Sequence, residues 1–538
     1  MFMPSRPSAS SNSTASHPFD EKEWAVTQPK RRGDRWLILG VVCLVQLVVI
    51  LDNTILNVAV PSLTKELGAT TAQTQWVIGA YSLVQAGLLI TAGGFADRYG
   101  RKLTQLLGLA FFGLGSLAGA FATEPVQLIA ARAGMGIGGA LLLATNMAIV
   151  VRTFDQEEVP KALTVIMGVA SLGLALGPVI GGVLLAHFWW GSVFLVNVPV
   201  CFIGLIAVAK LVPESKDPHG DRPDLVGALL STIGMTSLVY AVIQGPGNGW
   251  TSDRTLVPGA VGLVVVIAFV LWERRTPHPL LDMSFFANAR FRGAVSGGVL
   301  VAFGLSGSLF LLTQHLQFVL GYGPLEAGLR IAPMALTLVA LNLTGIGVRL
   351  TSKLAPPVAT ALGLGLMAAG LASIAVLGHD GSYPGILLGL VLMGAGVGCA
   401  KPAMAGAVMT SIPPEKAGVG SGLMGTISEV GNSLGVACLG AVLTVGFAGA
   451  LPAGVPDDAA RSLPDAVAAA GPGATRQVHS AFADSLTTAQ LIGALAVLLG
   501  GLVASWLLRQ GAQGQPAGGE QADRSEGSEA EAEEAVAA

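Results

Sequence analysis

Long apolar runs separated by short polar segments dominate the sequence. A helix of about 20 apolar residues crosses the roughly 30 Å hydrocarbon core of a bilayer. Fourteen such runs lie near 36–60, 74–95, 103–122, 125–151, 161–186, 192–212, 224–244, 256–272, 294–320, 325–350, 356–377, 384–410, 417–447 and 487–508. The pattern predicts an all-α polytopic membrane protein with fourteen transmembrane helices.

The runs are grouped as six, two and six. We predict an N-terminal six-helix half over 36–212, a two-helix insert with flanking cytoplasmic loops over 213–292, and a C-terminal six-helix half over 293–509. Within the last half, the Asp/Pro/Ala-rich segment 448–486 is predicted to be an external loop. Two six-helix halves indicate a transporter whose substrate site lies at their interface.

The two ends of the chain differ from the body. Residues 1–35 are polar and Ser-rich, without the apolar core and cleavage site of a secretory signal, and residues 510–538 are acidic. Neither segment has enough apolar side chains to form a packed core, so we expect a disordered N-terminal tail and a solvated C-terminal tail.

Composition excludes several classes of protein. The chain is 52% hydrophobic and 12% charged, about half the 25% charged residues of soluble domains. Of its 63 charged residues, 18 lie in the first 35 and last 29 positions, so the apolar body excludes a soluble enzyme and requires a lipid bilayer. A net charge of −3 offers no basic surface for nucleic acid. The four scattered cysteines lack metal-ligand spacing and predict neither a metal site nor disulfides.

Lysine and arginine positions predict the orientation. Of the 30 Lys and Arg residues, 23 fall in segments that are cytoplasmic if the N-terminus is inside. The predicted outer segments hold only Lys65, Arg254, Arg461 and Arg476. The positive-inside rule therefore places both termini in the cytoplasm. The Ala/Gly-rich composition is typical of a high-GC bacterium.

Two charged residues lie inside predicted spans of the first half. Asp52 belongs to the run Leu51–Pro61 in span 1, and Arg132 begins the run Arg132–Ala140 in span 4. At about 1.5 Å per residue, both lie roughly 10–12 Å below the outer surface. Opposite charges at matched depth can pair, which lowers the free energy of burying either one. We favour a role in proton coupling over the alternative that Arg132 only joins helices through backbone carbonyls.

A charged turn connects spans 2 and 3. The segment Gly93–Lys102 reads GGFADRYGRK, with Asp97 expected at the start of span 3, where a carboxylate suits the positive end of a helix. An exposed, merely solvated loop is the alternative to a gating function.

Glycine-rich runs recur in the spans. Those at Gly134–Gly139 and Gly394–Gly398 lack the βαβ context of a dinucleotide site, so close helix packing explains them better. In span 5, Gly168–Gly182 has glycines three to five residues apart and a proline, which predicts a groove for another helix and a kink. No Gly-Lys dipeptide occurs, so the sequence contains no P-loop and ATP is not expected to drive transport.

The second half also contains two charges within predicted spans. Lys401 in span 12 and Glu429 in span 13 lie roughly 15 Å and 18 Å from the inner face at the rise of an α-helix. We predict that they pair. The alternatives are participation in transport and a purely structural bond between the two spans.

Together these motifs resemble the major facilitator superfamily, specifically its fourteen-span drug:proton antiporters. The matching residues are Gly93, Ala96, Asp97, Arg98, Gly100, Arg101 and Lys102 in the loop after span 2; Arg132, Gly136, Gly138 and Ala140 in span 4; and Gly173, Gly177, Pro178, Gly181 and Gly182 in the antiporter motif of span 5. The resemblance covers residues 36–509. Three departures are Phe95 for the usual Leu, Gly191 where Arg often follows Trp, and Ser428-Glu429 where many relatives have Arg-Gln. The last resembles the quaternary-ammonium and dye exporters.

The resemblance implies the major facilitator fold and a proton-coupled antiporter in the cell membrane. The substrate would be an amphipathic drug or antibiotic, as in the self-resistance exporters of antibiotic-producing actinomycetes such as those for tetracenomycin. It implies gating by the loop at Asp97. The placement of Asp52, Arg132, Glu429 and Lys401 within the spans leads us to assign proton coupling or transport to these four residues. We expect a monomer that is not an enzyme and needs no cofactor.

Three other functions were weighed against export. A symporter or uniporter for another small metabolite is disfavoured by the span 5 motif. A membrane-embedded enzyme would require clustered catalytic or metal-ligating residues, which the sequence lacks. A sensor or structural protein would not require buried charges at matched depth in both halves.

Overall fold

The computed structural model describes residues 32–513 except 156, 217–222, 278, 346–348, 350–352, 379–381, 413–416 and 454. The tails predicted at 1–35 and 510–538 therefore lie almost entirely outside the described residues. In the described part of the chain, fourteen helices are long and apolar enough to cross a membrane, as predicted.

These helices occur in the following order along the chain. They are α1 (Arg32–Glu66), α2 (Thr71–Tyr99), α3 (Arg101–Ala120), α4 (Pro125–Thr153), α5 (Val159–His187), α6 (Asn197–Leu211), α7 (Leu225–Asn248), α8 (Asp253–Glu273), α9 (Ala289–Gln314), α10 (Pro324–Thr344), α11 (Pro356–Leu377), α12 (Tyr383–Met409), α13 (Ala417–Ala450) and α14 (Leu463–Gln513). A short helical segment, Ser192–Leu195, precedes α6, and a π-helical segment, His315–Val319, extends α9.

Local sequence explains where several helices begin. At the start of α2, the Thr70 hydroxyl accepts a hydrogen bond from the backbone N–H of Gln73. The Gln73 side chain accepts one from the backbone N–H of Thr70, and the two bonds form a capping box. The Asp224 side chain accepts from Gly227 at the start of α7. Proline occupies the first turn of α4 and of α10, where its missing N–H is not needed.

The segment predicted as the loop 448–486 is largely helical. α13 continues to Ala450, and α14 begins at Leu463 and bends at Gly471, whose φ is 66°. Val478 and Phe482 of this segment are buried against Phe447 of α13. Its Asp, Pro and Gly content suggested a loop, but the apolar side chains four residues apart form one packed helical face.

The two six-helix halves meet along two helix pairs, α2 with α13 and α5 with α10. Glycines bring these helices together. A Cβ on Gly182 of α5 would lie 2.6 Å from the backbone of Leu325 on α10, and one on Gly425 of α13 would collide with Leu89 of α2. Larger side chains at these positions would separate the two halves.

The insert packs on one side of the bundle. Val239 and Ile243 of α7 are buried with Leu83 of α2 and Ala437 of α13, so α7 covers the seam between the halves. α8 packs mainly on α7. Its exposed residues include Val264, 64% accessible, which would be unfavourable in water. Apolar side chains also face outward on α3 and α6, and we conclude that the chain is a multi-pass membrane protein.

Candidate functional site

Asp52 of α1 and Arg132 of α4 form an ion pair inside the first half, as predicted. Their side chains are 1% and 0% exposed, and Arg132 Nη1 donates to Asp52 Oδ2. Arg132 Nε also donates to the Val77 carbonyl at 3.0 Å. The other carboxylate oxygen, Oδ1, accepts from Asn197 Nδ2 of α6 at 2.8 Å. Both charges are thus compensated, which a buried ion pair requires.

Tyr81 of α2 completes the surroundings of this pair. The guanidinium carbon of Arg132 lies 4.3 Å from the centre of the Tyr81 ring, a cation–π contact. The ring in turn packs edge-on against Phe112. Sequence analysis assigned no role to Tyr81 or Asn197. Each is a polar residue within an apolar run of the sequence. Only the packing of α1, α2, α4 and α6 shows that the two residues converge on the ion pair.

Glycines of α4 allow α2 to approach this closely. A Cβ on Gly136 would lie 2.7 Å from the Tyr81 carbonyl oxygen, and one on Gly139 would lie 2.6 Å from the Tyr81 hydroxyl. The run Gly134–Gly139 therefore serves helix packing, in agreement with the preferred interpretation.

Lys401 and Glu429 lie on α12 and α13 of the second half. They are close enough to interact electrostatically, but no nitrogen–oxygen distance of 4 Å or less joins these two described residues. The predicted direct pair is therefore not formed in this structure. Lys401 is solvent-exposed in this structure. The two charges lie near each other, as their depths predicted, but depth does not determine the direction of a side chain.

Glu429 is buried at the contact between the two halves. It is 8% exposed, and its Oε2 atom has no hydrogen-bond partner. The side chains of Ser82 on α2 and Asn432 on α13 lie beside its carboxylate. Arg132 is near enough to act on it electrostatically. The charged residues of both halves therefore converge on the same region of α2.

The turn after α2 differs from the prediction in one respect. Asp97 lies in the last turn of α2, not at the start of the next helix, and it pairs with Arg101 at the start of α3. The carboxylate at the N-terminus of α3 is that of Glu214, which accepts from the amides of Lys102 at 3.2 Å and Leu103 at 3.3 Å. Glu214 could not be predicted at this position because it is 112 residues from Lys102 along the chain.

Backbone geometry fixes this turn against the segment after α6. Gly100 has φ 119°, and a Cβ there would collide with the Glu214 carboxylate. Lys102 Nζ donates to the Ala209 carbonyl at 2.7 Å. Gly93 and Arg98 lie in the final turns of α2, and a Cβ at Gly93 would meet nothing within 4 Å. Asp97 is half exposed, with a side-chain accessibility of 49%, so its carboxylate is available for another partner if the halves move.

The glycines of α5 allow other helices to approach closely on two sides, as their spacing predicted. Towards α1, a Cβ on Gly173 would press on Leu47 and Ile50, and one on Gly181 would press on Ile55. Towards α10, a Cβ on Gly182 would collide with the backbone of Leu325. A Cβ on Gly328 of α10 would collide with the carbonyl of Pro178. α5 is thus the helix that holds α1, which carries Asp52, against the second half.

Substitution of Gly177 tests this packing. We expect Gly177→Ala to lower transport strongly, because its Cβ would overlap the side chain of Thr54, two residues after Asp52. Gly168→Ala on the same helix is the matched control, since a Cβ there meets nothing within 4 Å. Drug efflux by the two variants at equal membrane abundance is the measurement. Equal efflux would show that the close approach of α5 to α1 is not required.

Comparisons with known proteins agree with this architecture. Residues 42–436 match the Major Facilitator Superfamily. The chain is 32% identical over 489 residues to the multidrug efflux pump LfrA of Mycolicibacterium smegmatis, covering 88% of this chain and 96% of that protein. It is 34% identical to the methyl viologen resistance protein SmvA of Salmonella typhimurium, covering 78% and 85%. It is 32% identical to the tetracenomycin C resistance and export protein of Streptomyces glaucescens, covering 77% and 76%.

Solved structures share the fold. An inward-facing, unoccupied bacterial homologue of the human lysosomal transporter Spinster superposes with a TM-score of 0.64 at 18% identity, covering 91% of this chain and 100% of that one. The POT family transporter PepTSo gives 0.60 at 17% identity, covering 90% and 100%. The fourteen helices, the matched region and the relatives show that this chain belongs to the major facilitator superfamily and is a transport protein, not an enzyme.

Proposed function

We propose that the protein is a proton-coupled antiporter that exports an amphipathic drug or antibiotic from the cytoplasm and confers resistance. The observation that carries the coupling mechanism is the buried Asp52–Arg132 pair, since a carboxylate at this depth is expensive without a use. The names of the relatives support a drug as the substrate. The protein would act as a monomer with both termini in the cytoplasm.

The geometry supports a specific role for Asp52. Deprotonated, its carboxylate is held by Arg132 and Asn197. A proton on Asp52 removes the negative charge and releases Arg132 from the ion pair, while Val77 and the Tyr81 ring still hold the guanidinium. Protonation would therefore change how α1 is bound to α4, which is the kind of two-state contact that coupling requires.

Contacts between the halves indicate which end of the bundle is closed. Near the α1–α2 connection, Gln317 Nε2 donates to the Val58 carbonyl at 2.9 Å, and Gln75 Nε2 donates to the Val436 carbonyl at 3.2 Å. Thr71 Oγ1 donates to the Arg461 carbonyl at 3.0 Å. With the proposed orientation this end faces outward, so drug would enter the bundle from the cytoplasm.

A susceptibility panel tests the proposed function. A drug-sensitive bacterial host with and without the gene is exposed to antibiotics and cationic dyes, and efflux is followed before and after a protonophore collapses the proton gradient. We expect raised resistance to at least one compound and loss of its efflux on collapse. Resistance to no compound, together with gradient-driven uptake of a metabolite, would favour the symporter instead.

Gating by the turn after α2 leads to a separate prediction. We expect Asp97→Asn and Arg101→Ala to slow turnover more than they weaken drug binding, because this pair lies at a helix connection away from the buried charges. Glu326→Gln is the matched control, since Glu326 forms the equivalent four-residue-spaced pair with Arg330 on α10. Turnover and drug affinity are measured separately. Lost binding with normal turnover would contradict gating.

A further inference from the structure

Several buried polar atoms of α2, and of the helices packed against it, have no hydrogen-bond partner in the described part of the chain. They include the Tyr81 hydroxyl, both polar atoms of the Gln85 amide, and Oγ of Ser433 on the facing helix α13. Arg132 Nη2 and Glu429 Oε2 are also without partners. Unsatisfied buried polar groups are unfavourable. All six atoms lie on α2 or on side chains of α4 and α13, the two helices that pack most extensively against α2.

Tyr81 and Gln85 are the two residues of α2 in this group. They lie one helical turn apart on α2, and a Cβ on Gly139 of α4 would lie 2.6 Å from the Tyr81 hydroxyl and 3.2 Å from Gln85 Nε2. Both polar groups therefore border the same narrow gap beside α4. Gly139 keeps this gap open, since any other side chain there would fill it.

The two ionisable sites already described flank α2. On one side, the Arg132 guanidinium, paired with Asp52, lies over the ring of Tyr81. On another side, Ser82, the residue after Tyr81, lies beside the carboxylate of Glu429. α2 thus contacts the ion pair of the first half with one face and the carboxylate of the second half with the next.

We propose that Tyr81 and Gln85, with bridging water, form a proton-transfer link between Glu429 and Asp52. This inference rests on the proposed proton-coupled function. The Tyr81 oxygen accepts a proton from the Glu429 side while its own hydroxyl proton passes towards Asp52, so the tyrosine ends neutral and one proton has moved. Gln85 accepts from one water and donates to the next, which orients them without changing its own protonation.

Other charged groups frame this link. The ionisable side chains that act on Tyr81 from the helices packed against it are Asp52 on α1, Arg132 on α4 and Glu429 on α13. Lys401 on α12 acts on Glu429, and Cys201 on α6 is near Asp52. The link therefore connects the two carboxylates that occur in this region, with one cation beside each.

Tyr81→Phe isolates the hydroxyl, because the phenyl ring still stacks on Arg132 and Phe112. The full-length protein is reconstituted in liposomes with ethidium as the probe. We expect ethidium exchange at equal concentrations and equal pH to be unchanged, since it needs no net proton transfer. Ethidium transport driven by a pH gradient should fall at least about tenfold, because a positioned proton-transfer group contributes about 10²–10⁴-fold. Gln85→Met should likewise leave ethidium exchange unchanged and lower the transport driven by a pH gradient.

The control variants separate this inference from the proposed function. Tyr383→Phe removes a hydroxyl that donates to the Arg330 carbonyl elsewhere in the second half, and it should leave both measurements unchanged. Full gradient-driven transport in Tyr81→Phe, with loss in Asp52→Asn, would overturn the link and leave proton coupling intact. Loss of exchange as well as gradient-driven transport in both Tyr81→Phe and Gln85→Met would also overturn it, by showing a structural role. Full transport in Asp52→Asn would instead contradict the proposed function.

Discussion

Asp52→Asn is expected to abolish efflux driven by a pH gradient while the protein remains in the membrane. Asparagine keeps the shape of the side chain and can still accept from Asn197, but it cannot take up a proton. The measurement is drug efflux in energised cells together with the abundance of the protein in the membrane. Full drug resistance in this variant would show that Asp52 does not carry the coupling proton.

Two further variants sharpen this test. Asp52→Glu retains an ionisable carboxyl group and should preserve part of the coupled efflux. Arg132→Ala leaves the Asp52 carboxylate buried without its cation, and removing one partner of such a pair costs about 3–5 kcal/mol of stability. We therefore expect Arg132→Ala to reduce membrane abundance, which distinguishes a folding defect from the coupling defect of Asp52→Asn.

Glu429→Gln is expected to impair export of cationic dyes more than export of neutral drugs. The Glu429 carboxylate has an unpartnered oxygen and lies within electrostatic range of Lys401. A cationic drug bound beside Glu429 could supply the direct positive partner that this carboxylate lacks. A neutral drug cannot form an ion pair with Glu429, so this residue could act on it only by taking up a proton. We therefore expect loss of the carboxylate to weaken binding of neutral drugs less than binding of cationic dyes.

The comparison requires both drug classes at equal expression. Lys401→Met removes the ammonium, and we expect it to favour cationic dyes over neutral drugs, opposite to Glu429→Gln. Gln490→Leu on α14 is a control, since Gln490 is buried and donates to Ser308 within the second half. Unchanged transport of both classes in Glu429→Gln would reduce Glu429 to a structural contact between helices.

Sequence fixes the spans well because a bilayer imposes a strict length of apolar residues on each helix. It also places Asp52 and Arg132 together, because charge within an apolar run is rare and the helical rise converts position into depth. The same reasoning brings Lys401 and Glu429 near each other. It cannot give the rotation of each helix about its axis, which decides that Asp52 is paired directly with Arg132 and that Lys401 is not paired directly with Glu429.

The remaining features depend on contacts between distant segments. Asn197, Tyr81 and Glu214 have no charge pattern or spacing that marks them, and each is recognised only from the helix that it faces. The helical start of α14 within 448–486 was not predicted, because the Asp, Pro and Gly residues of this segment are typical of loops. Its buried side chains stabilise a helix only because α13 lies beside them.

Proton movement driven by drug is the most direct test of the account. The purified protein is reconstituted in liposomes that contain a pH-sensitive dye, the membrane potential is clamped, and a gradient of a transported drug is applied without a pH gradient. We expect protons to move opposite to the drug, and this movement to disappear in Asp52→Asn. Drug flux of normal rate with no accompanying proton movement in the unmodified protein would contradict proton-coupled export.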